Sequence, residues 1–259
     1  SFGYGAFRRD IRKEAICPAR MLVVRDTVYD DGRQPSIFDV PDAEHPIQDP
    51  VRPDFYKPDD TFAGQAWWWT TRDIRVDVPA NDPPANKIDD ADSVEFEVCP
   101  TTVVNCAAGT MIDSAPQAGK AARVYVQVTN RGVEPVAKTR VIALWNNSGG
   151  AFESLPDTFW TKTFPGNGKC GSVDLTTGWQ LVDPFEPCRA IETVAPDLPE
   201  LARFDWKKVP QAADGGATIL TVVESPEDRL DSWIRQKNEL EPSELVPNSR
   251  HIALRNLHT

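Results

Sequence analysis

The chain has 259 residues, a net charge of −11 and a sequence pI of about 4.8. An acidic surface repels nucleic acid and anionic lipid, so neither is expected as a partner. No apolar run approaches the roughly 20 residues that cross a bilayer, which excludes membrane insertion by a helix. The first residue is not methionine, so we expect the chain to be a processed or excised part of a longer polypeptide.

Residues 1–65 are predicted to form an extended, largely irregular N-terminal arm. Six prolines lie between positions 35 and 58, and acidic residues are frequent there. Such a segment cannot build a core of its own. Its aromatic residues are spaced so that they can dock onto a preformed surface, which predicts contact with a protein partner or a second copy; they are Phe38, Phe55, Tyr56 and Phe62.

Two acidic clusters could supply oxygen ligands to calcium. The first is formed by Asp26, Asp30 and Asp31 with Gly32, and the second by the aspartates at positions 89, 90 and 92. The spacing of an EF-hand loop is absent from both. Asp-Asp-Gly is also a common turn sequence, so a turn without metal is the alternative and no other cofactor is expected.

Three tryptophans, Trp67, Trp68 and Trp69, come directly before a strongly alternating strand over residues 74–78. Flat aromatic faces can stack on sugar rings, so this triplet is a candidate carbohydrate platform. Successive side chains of a strand point to opposite faces, however, and at least one tryptophan must then be buried. Core packing, or docking of the arm, is therefore the alternative reading.

The clearest pattern in the chain runs from Arg123 to Trp145. Two runs alternate with a two-residue period, which predicts two strands with one face buried. Asn130-Arg131-Gly132 separates them, and we expect a turn there that requires a positive φ. Because the strands follow one another closely, we expect an antiparallel pair in which Val126 and Trp145 are buried on the same side of one sheet.

Further short strands are predicted at residues 94–98, 180–182, 190–194, 202–206, 217–224 and 250–257, with a candidate strand at 21–25. A long loop is expected from 149 to 178, and helical turns at 232–239. This pattern predicts an all-β fold, a Greek-key immunoglobulin-like β-sandwich over residues 66–259 that follows the arm.

The five cysteines include two pairs in sequence typical of loops. Cys99 and Cys106 form one candidate disulfide, and Cys170 and Cys188 form the other, which leaves Cys17 unassigned. Neither pair has the spacing of zinc ligands. Disulfides of this kind stabilise secreted proteins, so an extracellular or cell-surface location is predicted; buried free thiols are the alternative.

No catalytic motif is present in the sequence. It contains neither the G-x-S-x-G of a nucleophile elbow nor the H-E-x-x-H of a zinc protease. The three histidines lie in proline-rich or terminal segments. We therefore do not predict an enzyme.

Several segments resemble the CARDB-like and related immunoglobulin-like domains of bacterial secreted and cell-surface proteins. They are RDTVYDDGRQPS, WWWTTRDIRVD, RVYVQVTNRGVEPVAKTRVIALW, DLPELARFDWKKVP, ILTVVESPEDRLD and IALRNL. The resemblance covers roughly residues 20–259 in order. It implies a non-catalytic module that accompanies proteases, adhesins or surface assemblies, with no catalytic residues.

These observations together predict an extracellular structural or interaction module within a larger secreted or surface assembly. The alternatives are a carbohydrate-binding accessory domain and the non-catalytic tail of a secreted protease.

Overall fold

A computed structural model describes residues 18–25, 71, 73–78, 116–147, 153–164, 170, 178–211, 216–236 and 239–257. The predicted all-β sandwich is confirmed, because these residues form mainly antiparallel sheets with only short helical turns. The strands are β1 Leu22–Val23, β2 Ile74–Asp77, β3 Ala122–Asn130, β4 Val136–Asn146, β5 Leu155–Pro156, β6 Gln180–Leu181, β7 Cys188–Val194, β8 Glu200–Trp206, β9 Ala217–Glu224, β10 Glu239–Leu240 and β11 Ile252–Leu257.

Three short helical segments complete the described elements. They are a π-helical turn at Phe159–Thr163, a 3-10 turn at Ile234–Gln236 and the α-helix α1 at Pro242–Leu245. The expectation of one long loop over 149–178 is therefore wrong in part, because β5 and the π-helical turn lie within it. The predicted strand over residues 94–98 lies outside the described residues.

The first sheet is arranged around β3. Strand β2 pairs with residues 123–126 of β3, and β8 pairs with residues 122–128. Since both pair with the same part of β3, they lie on its opposite edges. Strand β1 pairs with the remaining end of β3, where Leu22 is opposite Asn130 and Val23 is opposite Thr129.

The second sheet has β4 and β9 at its centre. Strand β9 pairs with β4 on one side and with β11 on the other. The opposite edge of β4 pairs with β7 over residues 136–142 and with β6 at residues 144–145. Strands β5 and β10 form a separate two-stranded ribbon.

The main core lies between these two sheets. Val124, Val126 and Val128 of β3 are fully buried in it, as are Val141 and Ala143 of β4. Alternating apolar residues on a strand place one face against a facing sheet, and this accounts for the two-residue period in both sequences.

The prediction that β3 and β4 pair with each other is wrong. Strand β3 is bonded to β2 and β8, whereas β4 is bonded to β9 and β7, so the connection at residues 131–135 crosses from one sheet to the other. Val126 and Trp145 do share the inter-sheet core, but they enter it from opposite sheets. Alternation indicates which side chains share a face and does not specify which strand is the neighbour.

The second sheet is also buried on its outer face. Ile142 and Leu144 of β4 point away from the first sheet and pack beneath a layer of non-strand residues. This layer contributes a second apolar cluster; its large members are Phe159, Trp160, Phe164, Trp179, Leu230, Ile234, Leu245 and Val246. The second sheet is therefore the middle layer of the molecule.

One ion pair fixes this layer to the second sheet. Both carboxylate oxygens of Glu224, at the end of β9, accept hydrogen bonds from Arg235 at 2.8 Å. The other terminal nitrogen of Arg235 donates to the backbone oxygens of Trp160 and Phe164. A single guanidinium thus joins the π-helical turn to the sheet below it.

The turn between β3 and β4 has a different cause from the one expected. None of Asn130, Arg131 and Gly132 has a positive φ. A Cβ atom at position 132 would lie 2.6 Å from the backbone oxygen of Ala19 and 2.6 Å from the Cα atom of Arg20. Glycine is required here because another segment of backbone passes directly against it.

We therefore expect Gly132→Ala to destabilise the protein by about 1–3 kcal/mol, since the clash is with backbone that cannot rotate away. Chemical denaturation would measure the loss.

Gly178→Ala is the matched control, because the atoms nearest to its Cβ belong to the carboxylate end of the Glu153 side chain, which can move away and loses at most its hydrogen bond from the Gly178 amide. Equal losses in the two variants would contradict this explanation.

Candidate functional site

Residues 18–25, which lie within the predicted arm, form part of the sandwich. Leu22, Val23 and Val24 are essentially inaccessible to solvent. Burying an aliphatic side chain of this size contributes about 1.5–3 kcal/mol. The boundary predicted at residue 65 otherwise stays a prediction, since residues 26–70 lie outside the described residues.

Side chains from three distant parts of the chain accept the backbone N–H groups of this segment. The amide of Met21 donates to Asn130 Oδ1 at 3.2 Å, and the amide of Leu22 donates to Asp228 Oδ2 at 2.5 Å. The amide of Arg25 donates to Asp73 Oδ2 at 2.8 Å. Most strand amides donate to the backbone of a neighbouring strand. Three side-chain acceptors for one short segment therefore show that specific side chains hold residues 18–25 in place; we call these side chains the receiving site.

Asn130 is fully buried, and its side chain uses both polar ends. Its Oδ1 also accepts the amide of Gly132 at 2.9 Å. Its Nδ2 donates to the backbone oxygens of Glu134 at 2.7 Å and Val194 at 3.1 Å. The side chain therefore joins β1, the crossing connection and the end of β7, and both of its buried polar atoms have partners.

Asp228 occupies the opposite side of the same segment. Besides the amide of Leu22, its carboxylate accepts Arg250 at 2.7 Å and lies 3.3 Å from Nε2 of the fully buried His251. Burial raises the pKa of the Asp228 carboxyl. The hydrogen bond and charge of His251, the charge of Arg250 and the Leu22 amide lower it further than burial raises it, so the net pKa lies below its usual value.

Asp73 holds the C-terminal end of the segment. Its side chain is fully buried and forms an ion pair with Arg25 at 2.5 Å, with a second contact from Arg25 Nε at 2.9 Å. Arg25 also donates to Gln127 of β3 at 2.9 Å. The hydroxyl of Thr71 donates to the backbone oxygen of Arg25 and accepts the amide of Asp73. We call these four residues, Arg25, Thr71, Asp73 and Gln127, the clamp.

The contact between Asp228 and His251 has a structural role in this geometry. Nδ1 of His251 has no hydrogen-bond partner within the part of the chain that the structure describes, and the ring is inaccessible to solvent. Ser249, the nearest serine in sequence, is itself buried. The buried imidazole joins the turn that contains Asp228 to the start of β11.

The described ranges contain neither a cluster of metal ligands nor a helix that could cross a bilayer. No group of three or more histidine, cysteine, aspartate or glutamate side chains could hold a metal ion there. Among the same residues, no helix is both long and apolar enough to span a bilayer. The aspartates of both predicted calcium clusters lie outside the described residues.

Most other predicted site residues also lie outside the described ranges. These are the candidate contact aromatics Phe38, Phe55, Tyr56, Phe62, Trp67, Trp68 and Trp69, and the cysteines Cys99 and Cys106. The five remaining tryptophans are described. Four of them are buried, and Trp233 is half-buried and packs against the second apolar cluster.

The predicted disulfide between Cys170 and Cys188 is present, with a Cα–Cα distance of 6.0 Å. Cys188 begins β7, and both cysteines pack against the second apolar cluster. The bond therefore ties the segment before Trp179 to the edge of the second sheet.

Comparison with protein-family models, curated proteins and solved structures finds no match to this chain. The resemblance to CARDB-like domains accordingly stays a prediction.

Sequence reasoning missed Asp73 and Asp228 as organising residues. Asp73 comes directly before a strand, and Asp228 follows Ser225-Pro226 in what reads as an ordinary polar turn. Aspartate is frequent at such positions in solvent, so composition gives no sign of burial. The informative feature of the sequence is the apolar run Leu22–Val24. Because charged residues follow it directly in the sequence, this run has to be buried by residues far away in the chain.

We expect Asp228→Asn to lower the free energy of unfolding at pH 7 by on the order of 3 kcal/mol, because it breaks a buried charged network. The depressed pKa of Asp228 adds a pH dependence. The stabilisation from ionised Asp228 is complete above about pH 3.9, the unfolded-state pKa of aspartate, and is lost as the pH falls below it. The difference between the two proteins should therefore shrink in acid.

Urea titrations at several pH values would measure this difference. Asp197→Asn is the control, because the Asp197 side chain is 75% exposed in its ion pair with Arg131. A gap between wild type and Asp228→Asn that is constant from pH 7 to pH 3 would contradict the assignment.

A further prediction concerns the disulfide between Cys170 and Cys188. Cys170→Ser should destabilise the protein by about 3 kcal/mol, the value for closing a loop of this length. Peptide mapping without reduction should recover the link between Cys170 and Cys188, and it also tests the predicted link between Cys99 and Cys106. Alkylation of all five thiols in the native protein would show that neither bond forms.

Proposed function

We propose that this chain is a non-catalytic extracellular interaction module, in which residues 26–70 present aromatic side chains to a protein partner or a second copy. The proposal follows the predicted role of the arm, with one change. The contact segment is held on the sandwich at both of its ends.

The clamp is the observation that carries this proposal. Arg25 precedes residues 26–70 and Thr71 follows them, and the two are hydrogen-bonded to each other. The buried carboxylate of Asp73 accepts both the backbone and the side chain of Arg25. Residues 26–70 therefore begin and end at the same buried ion pair, beside β2 of the first sheet. The binding loops of many β-sandwiches likewise begin and end on a rigid sheet.

The composition of residues 26–70 suits contact with another protein. Phe38, Phe55, Tyr56 and Phe62 are distributed along a proline-rich chain. Aromatic residues supply much of the binding energy of protein interfaces. Proline and a fixed base both reduce the entropy that is lost on binding.

Two features support an extracellular location. The disulfide between Cys170 and Cys188 is of a kind that persists in oxidising compartments. The net charge of −11 favours solubility at high concentration. Both agree with the secreted or surface assemblies that the CARDB-like resemblance implies.

The carbohydrate-binding alternative depends mainly on Trp67, Trp68 and Trp69, because four of the five described tryptophans are buried. The protease-tail alternative shares the non-catalytic role proposed here. Neither has a specific contact in the described structure that favours it.

Replacing the four aromatics Phe38, Phe55, Tyr56 and Phe62 with serine in the full chain tests the proposal. We expect self-association, measured by light scattering, to weaken at least about tenfold, since each lost aromatic anchor typically costs more than 1 kcal/mol of binding. Circular dichroism and the melting temperature should be unchanged. Deleting residues 1–65 is a poorer test, because it also removes β1.

The control replaces three exposed apolar residues of the described surface, Val133, Phe185 and Leu198, with serine. This variant should associate as the wild type does. A wild type that is monomeric throughout, or an aromatic variant that associates normally, would contradict the proposal. An aromatic variant that unfolds would assign these side chains to the domain's own core.

A further inference from the structure

The clamp fixes the residues on either side of 26–70 to the central strand of the first sheet. Asp73 accepts the backbone amide of Arg25 at 2.8 Å, and it accepts the Arg25 side chain at 2.5 Å and 2.9 Å. Gln127 of β3 accepts the same guanidinium at 2.9 Å. The backbone amide of Gln127 in turn donates to the backbone oxygen of Asp73 at 2.7 Å. One buried group of contacts therefore sets the positions of both flanking residues.

Burial removes hydration from the charges of the clamp. The Asp73 side chain is inaccessible to solvent, and the Arg25 side chain is 24% exposed. Apolar side chains of similar volume often give a fold as much stability as a buried ion pair, or more, because they lose no hydration of charge. The stability of the sandwich alone therefore does not explain an ion pair at these two positions.

Gln127 has a second feature that stability does not explain. Its side chain is fully buried, and its Nε2 has no hydrogen-bond partner among the residues that the structure describes. A guanidinium offers only donors, so the amide oxygen of Gln127 has to face Arg25. A buried donor without a partner destabilises the folded state. A leucine at this position would avoid that loss, but it would remove one acceptor of Arg25.

The paired strands of the first sheet do not include the ion pair. Strand β1 pairs with residues 129–130 of β3, and β2 pairs with residues 123–126. Arg25 follows β1, Asp73 precedes β2, and Gln127 lies between the two paired stretches. We therefore expect both strands to keep their partners when the ion pair is removed.

We propose that the clamp positions residues 26–70 for binding, and that Asp73 and Gln127 are positioning residues of this contact. The inference deepens the proposed function, and it rests on that function for the role of residues 26–70. A segment whose two ends are fixed has fewer conformations than one whose ends are loose, so it loses less entropy when it binds. The buried charge and the unpartnered amide of the clamp then serve binding, and folding does not require them.

A neutral clamp separates positioning from folding. Arg25→Met combined with Asp73→Asn removes the ion pair, leaves no charge unpaired and keeps a side-chain oxygen for the backbone amide of residue 25. We expect a melting temperature within about 4 °C of the wild type. Self-association, measured by light scattering, should weaken about three- to tenfold, the effect of ordering one or two more groups on binding.

Arg131→Met combined with Asp197→Asn is the matched control. It makes the same chemical change in an exposed ion pair, whose side chains are 44% and 75% accessible. This control should leave both the melting temperature and the self-association unchanged.

Gln127→Leu tests the second positioning residue. It removes both the unpartnered donor and one acceptor of Arg25, so the melting temperature should be equal to or higher than that of the wild type. Self-association should nevertheless weaken at least about threefold. If this variant and the neutral clamp both melt far below the wild type, the clamp is needed for folding and the proposal is wrong.

A double-mutant cycle shows whether the clamp acts through the four contact aromatics. The neutral clamp is introduced into the chain in which these aromatics are replaced by serine, and the residual association is measured. A positioning role predicts a further change of less than about twofold, because coupled groups do not act additively. An equal loss with and without the aromatics would overturn the positioning role.

These measurements distinguish a failure of the clamp from a failure of the proposed function. If the serine variant loses self-association while the neutral clamp associates as the wild type does, the proposed function stands and the positioning role is wrong. If the serine variant associates normally, the proposed function is wrong, and the positioning role that rests on it is wrong too.

Discussion

The docking of one short apolar strand against three buried polar side chains is the constraint on which the sandwich depends. Residues 18–25 contact β3, the crossing connection and the region before β11, so they join both sheets along one side. Asp228 is central because its carboxylate meets this strand, Arg250 and His251 together. Without this side chain, the amide of Leu22 and the buried imidazole would lose their shared acceptor. Contacts of such sequence separation form only after a large loss of chain entropy, so we expect them to slow folding.

The strands themselves could be predicted from the sequence, whereas their partners could not. The alternation around Val126 and Val141 identified two buried faces correctly, because period and burial are local properties. The neighbour of each strand depends on which edges are free once every segment has folded, and no local pattern contains that information. The same reasoning applies to Gly132. The glycine itself is visible in the sequence, but it is required by the backbone of Ala19 and Arg20, which is far away in the sequence. The turn was therefore predicted at the right place for the wrong reason.

The sequence also contained evidence that the second sheet is covered on both faces, which a search for alternation does not detect. In β4 and β9 both sets of alternating residues are apolar, as in Ile142 and Leu144 opposite Val141 and Ala143. A strand of this kind must be covered on both faces. The covering residues could not be found in advance, because irregular segments have no period. The disulfide was predictable, since Cys170 and Cys188 lie in loop-like sequence, but its role as a fastening for the cover follows only from the fold.

The position of that disulfide has a consequence for how the protein can be produced. The cover over the second sheet contains Trp160, Trp179 and Phe164, and among the described residues its covalent link to the sheet is the bond from Cys170 to Cys188 of β7. In a chain synthesised in a reducing cytosol this link would be missing, and the cover would be held by apolar packing, by hydrogen bonds and by the Arg235 ion pair. Its large aromatic surface would then be the first to open and to associate with other molecules. Expression in an oxidising compartment would form the bond between Cys170 and Cys188 and so prevent this association before the chain reaches high concentration.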